Sequence, residues 1–317
     1  MAEPYHFAQA LIGAKHEVTP GTKVALAGAN IIDAENIDLT PVTGNVISRN
    51  VHRMHFTSPR EVLANAHRML SFRAPITKPT VADVPSPIIG LLESCYLARQ
   101  VGAPVPPDHY QLKPIDKETQ TSTLGVYVDG DDAYFLRGGQ GNFSLVFEAD
   151  NYPYADFNFL GLWDDPLSAT VAPIPDFDGW LPPVPVGCSA TMALQVGSNT
   201  YHCVRFELQM GLTLSHLCVG ALNKIFASRR QTRILARVID KGVAAHDVVT
   251  EIRNRTEHGV QYTHAGMTIA APKAQISGEG KFSDWKGVRV RDLLFIPHET
   301  LGNDEFTITE QLLLPVI

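Results

Sequence analysis

Catalytic signatures are missing from this sequence, and so are the marks of several other protein classes. It has no C-x-x-C pair and only 4 cysteines in 317 residues: Cys95, Cys188, Cys203 and Cys218. Each lies among apolar or small neighbours, which predicts buried free thiols in a reducing compartment and not a disulfide framework. No stretch approaches the roughly 18 apolar residues that a membrane helix needs. The opening Met1-Ala2-Glu3-Pro4-Tyr5-His6 lacks a charged n-region and an apolar core, so no secretory leader is expected. Charge is sparse, at 19%, and the net charge is -7. The 26 basic residues are scattered, with the densest knot at Ser228-Arg229-Arg230-Gln231-Thr232-Arg233, read as a solvated loop or a subunit contact. That excludes a phosphate-binding face, which needs clustered Lys and Arg to release counterions. A low charged fraction leaves more surface for protein contacts.

The chemistry-bearing residue types do not form a recognisable constellation. There is no H-E-x-x-H and no G-x-S-x-G. Of the 12 histidines, His52, His55 and His67 are near neighbours, but on a strand His52 and His55 face opposite sides and make a poor chelate. His202 points away from Cys203 on a regular strand. His246-Asp247 and His298-Glu299 are adjacent pairs with no nucleophile placed near them. Asp129-Gly130-Asp131-Asp132 lacks the carboxylate spacing of a calcium loop and reads as a hairpin turn. Gly138-Gly139-Gln140-Gly141 lacks the Lys-Ser/Thr of a phosphate loop and reads as a turn. Tyr152 and Tyr154 are expected to pack across strands. The sequence therefore assigns no catalytic, cofactor-binding or metal-binding residue. It predicts a protein that is not an enzyme and has no cofactor.

What is present is β-pattern. Asn45–Phe56 and His67–Ile76 alternate as strands. Ser86-Pro87 starts a helix, with proline at the first helical position and Ile88, Leu91, Leu92, Cys95 and Tyr96 on one face. Gly102 and the prolines at 104, 106 and 107 are expected to end it. Thr123–Val128 and Ala133–Leu136 flank the Asp-Gly turn. Phe143, Leu145 and Phe147 then alternate with Ser144, Val146 and Glu148, and Tyr154–Trp163 forms another run. Residues 166–187 hold Pro166, Pro173, Pro175, Pro182, Pro183 and Pro185, which stiffen the chain and forbid regular structure. Beyond this linker, strands are expected at Ala190–Val196, Tyr201–Leu208, Thr232–Ile239, Met267–Ala271, Lys273–Gly278 and Gly287–Ile296. A helix is expected over Ala245–Arg255, closed by His258-Gly259.

The order of elements repeats across the linker. Leu145 overlays Ile276, Glu148 Glu279, Tyr154 Trp285, Phe157 Val288, Phe159 Val290 and Leu162 Leu293, each pair 131 positions apart. The expected organisation is a first β-sandwich domain over 1–165, a linker over 166–187 and a second β-sandwich domain over 188–317. The fold class is mainly β with a few short helices (α+β), each domain carrying one flanking helix.

Several segments, in order and spacing from about residue 40 to 310, resemble the major tail tube proteins of long, non-contractile-tailed bacteriophages. They include Leu91-Leu92-Glu93-Ser94-Cys95, Tyr110-Gln111-Leu112-Lys113-Pro114, Thr123–Gly130, Gly141-Asn142-Phe143-Ser144-Leu145 and Phe159-Leu160-Gly161-Leu162-Trp163. Pro182-Pro183-Val184-Pro185, Ala271-Pro272-Lys273-Ala274-Gln275 and Gly302–Ile308 follow. The resemblance implies a structural virion protein that assembles with itself into rings stacked as the tail tube, the conduit for genome delivery. With two folds per chain, three chains would make a pseudo-sixfold ring; a ring of six whole chains is the alternative. The implied partners are the tape measure protein, the tail-end proteins and double-stranded DNA, which passes through without specific binding. No membrane partner is implied. The protein would be made in the bacterial host cytoplasm and reside in the virion tail. Lumen-facing strand positions are expected to be acidic or neutral. The other readings are a different β-rich virion protein (capsid shell or decoration subunit), or a two-domain hydrolase using His246 and Asp247.

Overall fold

The computed structural model describes residues 10–48, 54, 58, 61–81, 84–100, 109–117, 120–128, 132–168, 170–187, 193–278 and 280–312. Strands account for 61% of the chain and, among the described residues, the helices are 2 short ones, which makes the protein mainly β. No helix among those residues is long and apolar enough to cross a membrane.

The first half runs β1 (Leu11–His16), β2 (Glu35–Ser48), β3 (Glu61–Pro75), α1 (Pro87–Glu93), β4 (Leu97–Gln100), β5 (His109–Pro114), β6 (Ser122–Val128), β7 (Asp132–Glu148) and β8 (Tyr154–Trp163). The second half runs β9 (Ala193–Val196), β10 (Asn199–Tyr201), β11 (Cys203–Gln209), β12 (Leu212–Val219), β13 (Leu222–Arg230), β14 (Arg233–Ile239) and α2 (Val248–Asn254). It closes with β15 (Glu257–His264), β16 (Met267–Ser277), β17 (Phe282–Trp285), β18 (Val288–Pro297) and β19 (Thr307–Gln311).

One antiparallel sheet carries the architecture. Its neighbours in space are β2, β3, β8, β7, β11, β14 and β18. Beyond β18 lie the end of β16 and then β17. Two strand quartets with the same order are therefore set side by side. The first is β2-β3-β8-β7 and the second is β11-β14-β18-β16, joined where β7 pairs with β11. Each quartet's last strand also pairs backwards in the chain, β7 with β6 and β16 with β15. A helix precedes β6 in one half and β15 in the other.

The two halves share one core. Ala74, Ala155, Leu145, Leu208, Ile234 and Phe295 follow one another across the sheet on its buried face. Phe147 of the first half meets Phe206 and Tyr262 of the second, with centroids 6.3 and 5.1 Å away, and Phe206 stacks on Tyr262 at 4.2 Å. Each such aromatic pair contributes roughly 0.5–1.5 kcal/mol beyond its buried area. Strand pairing crosses the halves a second time where β19 meets β5.

Several sequence expectations need correction. The strand expected from Asn45 begins ten residues earlier, at Glu35, and its stretch beyond Ser48 lies almost wholly outside the described residues. The strand expected from His67 begins at Glu61. Helix α1 starts at Pro87 as expected but ends at Glu93, well short of Gly102. Tyr96 takes a left-handed φ of 60° there, and the chain leaves as β4. Gly138–Gly141 is not a turn but the middle of the 17-residue β7. Helix α2 is shorter than Ala245–Arg255; Asp247 caps its start and Arg255, at φ 55°, ends it. His258 and Gly259 do not close it but lie in β15. The hairpin β12–β13 had no sequence expectation.

The 131-residue overlay is displaced. Tyr154 and Phe157 share β8, whereas Trp285 and Val288 face each other across a two-residue turn. The proline-rich segment lies largely outside regular structure and straps onto the first half. Leu167 bridges to Ala133, Trp180-Leu181 pairs with Lys78-Pro79, and Val186 bridges to Asn151. Of the thiols, Cys95 and Cys203 are buried as expected, Cys218 is exposed, and Cys188 lies outside the described residues.

Candidate assembly surface

The long sheet has two unlike faces because side chains alternate along each strand. Phe143, Leu145 and Phe147 point into the core, and Ser144 and Glu148 point out with their row partners. One outward row runs Glu35, Arg73, Asp156, Ser144, Gln209, Arg233 across six strands. Another runs Glu148, Arg205, Arg237, Asp292. With Asp38 and Glu207, these rows carry six carboxylates against four guanidiniums and, among the described residues, no lysine.

The charges are paired along the sheet. Arg73 donates from Nε to Asp156 Oδ1 at 2.8 Å and from a terminal nitrogen to Oδ2 at 3.2 Å. Arg237 does the same to Asp292, at 2.7 and 3.3 Å. The hydrogen bond to Asp156 raises the Arg73 pKa above its ordinary value, and Asp292 acts likewise on Arg237. Arg205 lies 2.9 Å from Glu207 and 3.8 Å from Glu148. These rows carry more carboxylates than guanidiniums, and three of the four arginines, Arg73, Arg205 and Arg237, are paired in place, so they offer phosphate little purchase.

The two ends of the sheet are open. Among the described residues β2 pairs only with β3, and β17 only with β18, so each leaves one side without a strand partner there, the usual template for pairing with another chain. The β2–β3 hairpin also exposes Val46, Ile47, Val62 and Leu63 at 59, 52, 58 and 44%. The corresponding hairpin of the second half, β12–β13, which continues from β11 and leads into β14, lies across β3, β7 and β8. There Ile225 is buried against Leu160 and Leu162, and the His216 ring lies 5.2 Å from that of His67.

Polar anchors hold the flanking elements. Burial pushes the Glu93 carboxyl up, but His16 and Tyr110, at 3.1 and 2.6 Å, more than offset this and leave it below its ordinary pKa. Buried Glu17 accepts from Gly21 N, Gly138 N, Thr121 Oγ1 and Thr123 Oγ1 at 2.6–2.8 Å. Glu17 thereby fixes the left-handed Gly138 (φ 55°) inside β7. No sequence signal marks it, because its partners lie up to 121 residues away.

The residues weighed for chemistry scatter. His52, His55 and Asp129–Asp131 lie outside the described residues. His202 is exposed, and His298 and Glu299 sit in the loop after β18. Tyr154 is buried beneath Arg73, 3.7 Å from its ring centroid, and Tyr152 donates to Glu35. Asp247 accepts from Thr250 N and Oγ1 as the cap of α2. His246 instead contacts Tyr201 and Glu251.

Among known proteins, no family model and no curated protein matches this chain.

Proposed function

We propose that this chain is a structural subunit that builds a tube from copies of itself, as a phage tail tube protein does. The observation that carries the reading is the β7–β11 junction. It joins one quartet's last strand to the next quartet's first strand. The same join between β2 of one chain and the β16–β17 edge of another would continue the sheet without a break. Such a head-to-tail contact closes into a ring when its rotation closes. Each chain supplies two quartets, so three chains place six around one axis. The two quartets would be the cores of the tandem sandwich folds that the resemblance implies.

The two-faced sheet supports the same reading. Closed into a barrel, it turns its apolar face toward the supporting layers and its paired charges toward the lumen. A weakly acidic lumen lets DNA pass without capture. The apolar β2–β3 hairpin supplies what stacking rings would bury. The subunit would meet the tape measure and tail-end proteins in the virion tail.

The hydrolase reading loses its acid–base pair, because Asp247 is engaged in capping and His246 faces Tyr201 and Glu251. Other virion shells remain distinguishable by shape. Electron microscopy of the concentrated, purified chain should show rings or hollow rods; flat or closed shells, or solitary monomers at every concentration, would overturn the proposal.

A further inference from the structure

Away from the assembly surface, three metal-ligating groups converge. His246 Nε2 lies 2.6 Å from Glu251 Oε2, and His258 Nε2 lies 3.1 Å from the same oxygen. All three donor atoms fall within 4.8 Å of one another. His246 precedes α2, Glu251 lies in its first turn, and His258 belongs to β15. Their side chains are 5, 21 and 19% exposed. The two rings are perpendicular, at 80°, and so meet edge-on and do not stack.

Two further features bear on a ligand. His258 Nε2 is buried without a hydrogen-bond partner, because its approach to Glu251 lacks hydrogen-bond geometry. The Nε2 direction thus passes beside the Glu251 oxygen, as it would if both atoms ligated one ion lying off the line between them. In addition, the other nitrogen of His246, Nδ1, meets the Tyr201 hydroxyl. A metal-bound histidine characteristically uses its second ring nitrogen in this way, which fixes the tautomer and the ring plane.

We infer that His246, Glu251 and His258 form a binding site for one divalent transition-metal ion of the zinc class. Donors around a tetrahedral zinc, with bonds of about 2.0–2.2 Å, lie roughly 3.3 Å apart, so small side-chain rotations accommodate the ion. Two imidazoles disfavour calcium and magnesium, which take oxygen ligands. The fourth position falls to water. The ion would pin α2 to β15, with Tyr201 of β10 as the supporting contact. The site is independent of what the chain assembles into.

The test uses the full chain, stripped with EDTA, dialysed and titrated with Zn²⁺ by calorimetry, with Co²⁺ as a spectroscopic stand-in. The expected result is one Zn²⁺ per chain, tetrahedral-type cobalt absorption and a Tm raised by zinc. Tyr201→Phe should weaken binding roughly 10–100-fold, as loss of a supporting contact does. His258→Gln should weaken it further and abolish the zinc-dependent Tm rise. Glu251→Gln, on the more exposed face, serves if His258→Gln does not fold. Absence of saturable uptake by the wild-type chain would overturn the inference, as would wild-type affinity in whichever ligand variant folds.

Discussion

Asp156 and Asp292 occupy the same station in two different strand quartets. Each sits on the third strand in spatial order, directly opposite an arginine on the second, and each accepts two hydrogen bonds from it. They are 136 residues apart, whereas the arginines opposite them, Arg73 and Arg237, are 164 apart, so no single shift, 131 included, overlays the quartets. A repeated cross-strand pair on a repeated strand order is what a duplicated sheet produces. In the proposed assembly the β7–β11 junction is the template for contacts between chains.

These pairs are half exposed, with Arg73 and Asp156 side chains at 27 and 44%. They are therefore expected to contribute little to the free chain. A double-mutant cycle on Arg73→Ala and Asp156→Ala, followed by urea unfolding, should give a coupling energy of about 0.2–1 kcal/mol. A coupling of several kcal/mol would mean that the face is already desolvated in the isolated protein.

Glu17 should behave in the opposite way. Truncation to alanine strands four donors, three of them buried, and each buried group so orphaned costs about 1–3 kcal/mol. Glu17→Ala should lower stability by at least 3 kcal/mol, measured by denaturant unfolding. A loss below about 1 kcal/mol would show that water replaces the carboxylate.

Glu310 gives the pH dependence. It is 2% exposed; burial raises its pKa to about 7, against a lowering by the Ser86 N–H at 3.0 Å and by Lys78. A raised folded-state pKa means that its contribution is fully present below the unfolded value, near 4.5, and is lost as pH rises through about 7. That shift corresponds to a loss of the order of 3 kcal/mol. Glu310→Gln should remove the decline. Urea midpoints at pH 5 and pH 8 should therefore converge for the variant relative to wild type. An unchanged pH dependence would assign the decline to other groups.

Val46→Asp with Ile47→Asp tests the hairpin. Both side chains are more than half exposed, so the free chain should keep its Tm within a few degrees. Sedimentation should show loss of stacked particles while the smallest ring persists. A drop in Tm of ten degrees would place these residues in the fold instead.

Much of the sheet is legible in local pattern. The alternation of Phe143, Leu145 and Phe147 with Ser144, Val146 and Glu148 marks the two faces of β7. The run Tyr154–Trp163 matches β8, and Ser86-Pro87 marks the start of α1. Failures occur where a distant partner decides. Gly138 looks like a turn residue, and only Glu17 explains why a strand continues through it. Cys95 and Tyr96 keep helical spacing yet leave the helix, because both are buried in the core after the chain turns. The His246–Glu251–His258 cluster is invisible as a motif, since β15 itself was unread. The β7–β11 junction spans the proline-rich strap, so no local pattern announces it.

The most direct test is a reconstruction of the assembled particle at a resolution that separates strands. The expected result is an unbroken sheet, with β2 of each chain paired to the β16–β17 edge of its neighbour and three chains per ring. Six chains per ring, or β2 left unpaired between neighbours, would contradict it.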